Sequence, residues 1–237
     1  MSNERFIQLS TKYREFPNEE SHNCLISTPK IVKAGHYKLS HCLIPLSFYN
    51  INNNNNKLSF TTLGTTYNVN LIPGVYDTVN ILTALEELLN ASASGFTVEL
   101  DEITKKIEIS NSTNSFSFDF TDKNSMYKEL GFKSAVTTNA LSITGTDMIN
   151  LLPIQMVNLS IDNINMINWS INHGTTFIIP IESGLLSYIN YTPPSQFQQT
   201  VYIPSDRRQI RLTVRDELFN LLDLNNQDIM IVLERLS

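Results

Sequence analysis

The sequence predicts a mainly β protein: a single jelly-roll or Greek-key β-sandwich with an inserted small α+β module. Three observations lead there. Apolar and polar residues alternate from His36 to Ser40 and again from Val157 to Ile161, the period-two signature of half-buried strands. Pro, Gly and Asn interrupt such runs at Pro29, at Ala34-Gly35, from Asn52 to Asn56 and at Pro193-Pro194, so the strands are many and short. Between residues 57 and 145 a helical period stands among hairpins, and strand character resumes on both sides.

The elements follow in order. Residues 1–20 are polar with a weak alternation from Phe6 to Thr11, and read as an extended N-terminal arm or edge strand that pairs with a neighbouring chain or frays. Residues 21–56 and 146–237 are assigned to the jelly roll. Its first two strands are expected near Asn23 to Ser27 and Lys30 to Phe48, with Pro29 between them; Pro45 stops the ladder because it has no N–H to donate.

Residues 57–145 form the inserted module. Leu58 to Phe60 and Tyr67 to Leu71 make a hairpin around Gly64, and Asp77 caps a helix whose apolar face is Ile81, Leu82, Leu85, Leu88 and Leu89. Phe96, Val98 and Leu100 pair with Ile107 and Ile109, and Phe116, Phe118 and Phe120 line one face of a further strand. The stretch NSMYKELGF closes the module as a helical turn, with Ser125 as its cap, Gly131 left-handed after it and Phe132 folding back. Strands then follow from Val157 to Ile161, around Trp169, and from Thr176 to Ile181. The last ones run from Leu185 to Tyr191, Thr200 to Ile203, Arg207 to Val214 and Ile229 to Leu233.

At 237 residues the chain can bury a self-sufficient core without disulfides. Cys24 and Cys42 are its only cysteines, both in apolar strand-like contexts, so buried free thiols and folding in a reducing compartment are expected. The N-terminus has no apolar h-region, and no run approaches the roughly 18 apolar residues that span a bilayer. A net charge of −6 argues against a protein that coats nucleic acid, because Lys and Arg must neutralise phosphates there. The run from Asn52 to Asn56 reads as compositional bias, and the N-x-S/T triplets at Asn90, Asn111, Asn158, Asn168 and Asn190 as unused.

Catalytic chemistry has no constellation to stand on. No Gly-x-Ser-x-Gly elbow or phosphate-cradling Gly-rich loop occurs. The histidines are His22, His36, His41 and His173; His36 and His41 lie five apart in a strand, which should point them to opposite faces and disfavour a shared metal. No enzyme activity, cofactor or metal is therefore expected. One charged pattern stands out. From Arg207 to Arg215 the alternation puts Ile210, Leu212 and Val214 inward and Arg207, Arg211 and Arg215 outward, a basic stripe in an acidic protein. It reads either as a solvated face with local partners such as Asp206, Asp216 or Glu217, or as a subunit interface meeting an acidic neighbour or interior nucleic acid.

Several phrases together carry a resemblance: LIPLSFYNINNNNNKLSF, then IPGVY before the helix, the hairpin FTVELDEITKKIEIS, the closing LGF, and IPSDRRQIRLTVRDELFNLLDLNNQDIMIVLERL at the C-terminus. Over most of residues 5–235 the chain resembles the penton-type minor capsid proteins of polinton-like viruses, virophages and related eukaryotic double-stranded DNA viruses. The resemblance implies a single jelly roll whose insertion projects outward, with five copies filling an icosahedral vertex in the virion. The implied partners are four further copies of the chain, a double-jelly-roll major capsid protein, and other minor capsid or spike proteins. DELFNLLDLNNQD departs from the usual ending by placing Asn225-Asn226 where a Gly-containing turn is usual; Asn also tolerates left-handed backbone. The alternative from a different class is a virus attachment domain, a β-sandwich that binds a glycan or receptor.

Overall fold

The computed structural model describes residues 5–152, 154–161, 177–196 and 198–236; the strand expected around Trp169, the first residue of the one expected at Thr176, and His173 lie outside them. The chain divides into two compact units, Met1–Phe48 with Ile154–Ser237, and Tyr49–Pro153. The first unit opens with β1 (Phe6–Ser10), β2 (Asn23–Val32) and β3 (Gly35–Pro45). The second holds β4 (Lys57–Thr62), β5 (Thr65–Asn70), α1 (Thr78–Ser92), β6 (Phe96–Leu100), β7 (Ile107–Asn111), β8 (Phe116–Asp119) and β9 (Ser142–Thr144). The first unit resumes with β10 (Met156–Ile161), β11 (Phe177–Pro180), β12 (Tyr188–Tyr191), β13 (Thr200–Ile203), β14 (Arg207–Arg215) and β15 (Met230–Arg235).

One sheet of the first unit runs β1-β15-β3-β12, with β13 pairing the other half of β3; the second runs β11-β10-β14-β2. Counting β12 and β13 as halves of one edge strand and numbering the strands of this unit in chain order, the sheets read 1-8-3-6 and 5-4-7-2. That is the jelly-roll order, with two Greek keys folded into a sandwich. Each sheet buries alternate residues: Cys24, Ile26, Leu159, Ile161, Ile210, Leu212 and Val214 in one, Leu9, Tyr37, Leu39, Ile44, Ile231 and Leu233 in the other. Each fully buried aliphatic side chain contributes roughly 1.5–3 kcal/mol, which sets the register wherever one face is core.

Two bulges depart from the simple alternation. Ser27 pairs with Gln209 and Val32 with Arg207, so residues 28–31 bow out opposite Arg208 and β2 continues through Pro29. A bulge is where a missing N–H leaves no ladder bond unmade, and the Thr28 hydroxyl donates to the Lys30 and Arg208 carbonyls at 2.8 and 2.9 Å. In β3, Val232 pairs with His41 but Leu233 pairs with Leu39, leaving Ser40 as the extra residue. Burial accordingly shifts phase, from Tyr37 and Leu39 before the bulge to Cys42 and Ile44 after it. His36 and His41 therefore share the outer face of β3, which corrects the opposite-face expectation.

The N-terminal segment is bound within its own chain. β1 pairs antiparallel with β15, Phe6 to Ser10 against Glu234 to Met230. The ladder ends at Thr11, which donates its N–H to the Ile229 carbonyl at 3.0 Å and accepts the Ile229 N–H on its hydroxyl at 2.8 Å.

The second unit has two three-stranded sheets, β5-β4-β8 and β6-β7-β9, with α1 packed in one core with them. The Asp77 carboxylate accepts the Asn80 N–H at 2.7 Å, capping α1, and Ile81, Leu85 and Leu89 form its buried stripe. Phe60, Phe96, Phe116, Phe118, Phe120 and Phe132 fill the centre, with neighbouring ring centroids 4.8–6.3 Å apart. Gly131 has φ +74°, and a Cβ there would lie 2.3 Å from the Asp147 carbonyl oxygen. The following Phe132 N–H donates to the Tyr127 carbonyl at 2.7 Å, closing the turn as a helix terminus closes. Ser125 does not cap that turn: its hydroxyl is buried without a hydrogen-bond partner.

Residues outside 57–145 also pack into this unit. Ile51 is part of its core. Asn50 accepts the Tyr76 N–H at 2.9 Å and donates to the Tyr76 and Leu151 carbonyls at 2.8 and 2.9 Å. The sequence boundary follows the polarity change at Lys57, whereas Asn50 joins the module through backbone groups that composition does not display.

Candidate assembly surface

β14 presents part of the arginine stripe as the alternation requires. Ile210, Leu212 and Val214 are fully buried and Arg211 and Arg215 stand half-buried on the other face, whereas Arg207, half-buried too, pairs across the bulge with the core residue Val32 and so leaves the stripe. Each arginine has contacts within its own chain. Arg207 donates to the carbonyl and hydroxyl of Ser205 at 3.4 and 3.3 Å, and Arg215 donates to the Phe219 carbonyl at 2.8 Å. Arg211 pairs with the Glu19 carboxylate at 3.1 Å and donates to Asn23 Oδ1 at 3.3 Å.

These contacts lay the segment before β2 across the outer face of β14. Glu19 also accepts the Leu25 N–H at 2.7 Å, and Thr213, on the same outer side, is buried beside Asn23 at 3.3 Å. The acids near the stripe have their own roles. Asp206 takes Lys33 Nζ and the Ala34 N–H, each at 2.8 Å, and the Lys33 bond is the main cause holding its carboxyl below the usual range. Asp216 accepts the Leu218 and Asn220 N–H groups, and Glu217 accepts that of Gln155. Nothing in the local pattern points to Glu19, which lies 192 residues from Arg211.

The same N-terminal segment exposes three large aromatic side chains, Phe6 at 52%, Tyr13 at 65% and Phe16 at 55%. Aromatic and arginine side chains together are the composition that protein interfaces favour. β1, the strand carrying Phe6, is also a sheet edge that pairs only with β15 among the described strands, and an open edge is a pairing surface.

Nucleophilic chemistry has little support among the described residues. Cys24 and Cys42 are free and buried, and desolvation pushes their thiols up to about 11 and about 12, far from the thiolate that reacts. The His36 ring packs tilted, at 39°, against Tyr202 with centroids 4.8 Å apart, and His41 Nδ1 lies 3.2 Å from the Thr192 hydroxyl. Asn111 and Asn158, two of the triplet asparagines, are buried. In the second unit a cleft of about 530 Å³ is lined by Lys57, Ser59, Asn68, Asn70, Asp119 and Asp122 among others. It offers amide, hydroxyl and charged groups but no aromatic ring on which a sugar could stack.

The fold defined by these elements is a single jelly roll interrupted between its third and fourth strands by an α+β module. The same fold is found in a crystal structure of the mavirus penton protein, at a TM-score of 0.52 and 12% identity, over 98% of this chain and 99% of that one. No protein-family model and no curated protein matches the sequence. No helix among the described residues is long and apolar enough to cross a membrane.

Proposed function

We propose that the protein is a structural component of a viral capsid, a penton whose five copies close a ring at an icosahedral vertex. The observation that carries this reading is the end-to-end likeness to the mavirus penton protein, which covers jelly roll and inserted module alike. Physical features support it. A ring needs a heterologous interface whose rotation closes, and a jelly roll with an open edge and exposed aromatics can supply one without any catalytic group. Its partners in this reading are its own copies and a double-jelly-roll major capsid protein, with other minor capsid or spike proteins joining at the vertex. In this reading Arg207, Arg211 and Arg215 contribute to the contact with a neighbouring subunit, Arg211 together with the segment from Glu19 to Asn23 that lies over it. The protein would reside in the virion after folding in a reducing host compartment.

The test is co-expression with a double-jelly-roll major capsid protein and cryo-electron microscopy of the particles. This chain is expected as density at the five-fold positions. Particles with closed vertices that lack it, or that carry it only between hexagonal capsomers, overturn the penton assignment.

A further inference from the structure

His22, in the segment before β2, holds a ring placed for more than packing. The residue is 4% exposed, and its Nε2 lies 3.0 Å from the Glu20 carboxylate. In a neutral ring that contact assigns the proton to Nε2 and leaves Nδ1 as a bare lone pair. Nδ1 is buried, has no hydrogen-bond partner, and faces Asp223 Oδ1 across 3.7 Å. That separation is too long for a hydrogen bond. A lone pair aimed at a carboxylate calls for a cation between them.

Both sides of the gap are held in place. The His22 carbonyl accepts the Val214 N–H at 2.8 Å, tying the residue to the end of β14. Asp223 Oδ1 accepts the Asn225 N–H at 2.8 Å, within a turn where Asn225 and Asn226 adopt φ of 49° and 58°. One ligand atom each from Glu20, His22 and Asp223 falls within 4.8 Å of the others. Zinc bonds of about 2.0–2.1 Å meeting near the tetrahedral angle hold their ligand atoms about 3.4 Å apart, close to the gap observed. The carboxylates of Glu20 and Asp223 are mostly exposed, at 62% and 67%, so water can complete the coordination.

We propose that Glu20, His22 and Asp223 form a site for a first-row divalent transition cation such as zinc. His22 Nδ1 and the Asp223 carboxylate are the direct ligands. Glu20 holds the imidazole from the far side, the carboxylate–histidine–metal relay that fixes tautomer and ring orientation. An imidazole ligand selects zinc, cobalt or nickel over calcium and magnesium, which prefer all-oxygen shells. The ion ties the segment before β2, which also carries Glu19 and its bond to Arg211, to the turn between β14 and β15. This site is independent of the capsid assignment.

The test uses the full chain, stripped with a chelator and titrated with zinc chloride by isothermal calorimetry, with melting followed in parallel. One saturable zinc per chain and a raised melting temperature are expected, with no shift from calcium or magnesium at equal concentration. Asp223→Asn and His22→Gln should each weaken binding at least tenfold, and Glu20→Gln should weaken it by about 10–100-fold, as loss of an outer-shell partner does. His36→Ala with His41→Ala should leave it unchanged. Asp223 is exposed, so its variant keeps the test informative even where His22→Gln fails to fold. The proposal is overturned by the absence of saturable zinc binding. Binding undiminished in Asp223→Asn, or lost with His36 and His41, overturns it equally.

Discussion

Asn55 shows how much a single polar residue can do in a stretch that reads as compositional noise. Its side chain accepts the Asn52 N–H at 2.7 Å and donates to the Asn50 carbonyl and to Glu129 Oε1, each at 2.8 Å. Asn56 adds a bond to the Leu71 carbonyl at 2.8 Å. The asparagine run is therefore a hydrogen-bonded connector, a role invisible in the sequence because its partners are backbone groups and a distant acid. Glu129 is 5% exposed, and desolvation raises its carboxyl above the usual range, with the Asn55 bond opposing that rise. A raised carboxyl stabilises the fold most below its unfolded-state value, and that contribution is lost as pH rises through the folded value. Asn55→Ala should thus cost more at pH 7 than at pH 4, by about 1–3 kcal/mol once the buried carboxylate loses its donor. Glu129→Gln should flatten this part of the pH dependence. Urea unfolding at both pH values checks the two variants, and an Asn55→Ala penalty that shrinks toward neutral pH contradicts the account.

At the scale of the element, β14 is where sequence and structure agree most closely and also where they part. Alternation alone placed Ile210, Leu212 and Val214 inward and Arg211 and Arg215 outward, because a strand with one buried face has only one workable register. What alternation could not supply was the segment lying over that outer face, since Glu19 and Asn23 reach Arg211 through tertiary folding. The bulge at Ser40 left a trace that went unread: the polar pair Ser40-His41 breaks the alternation where the phase of β3 reverses. Leu212→Ala should cost roughly 2–5 kcal/mol. Arg211→Ala should cost about 1 kcal/mol, because the half-buried pair with Glu19 is lost. In a double-mutant cycle with Glu19→Gln, thermal or chemical melts should give a coupling of about 0.5–1 kcal/mol. Zero coupling shows that the pair carries no energetic weight. If the stripe also meets an acidic neighbour, Arg211→Ala should weaken assembly and reduce its salt sensitivity.

For the whole molecule, the alternation of strands around a helical interlude made the jelly roll with an inserted module legible. Connector residues such as Asn50 and Ile51 did not declare which side they join, because they do so through hydrogen bonds and one buried side chain. The module has its own core of aromatic and aliphatic residues, and we propose that it is separable. Replacing residues 49–153 with a short Gly/Ser linker should leave a jelly roll that unfolds cooperatively by circular dichroism; a non-cooperative melt points to a single interdependent core. The central claim is the closed five-fold ring. Native mass spectrometry or sedimentation velocity over a concentration series tests it most directly. A ring of five gives a discrete species of about 135 kDa, five times the 26.9 kDa chain, growing with concentration. A discrete dimer or trimer, or a monomer that persists at the highest concentration reached, contradicts it.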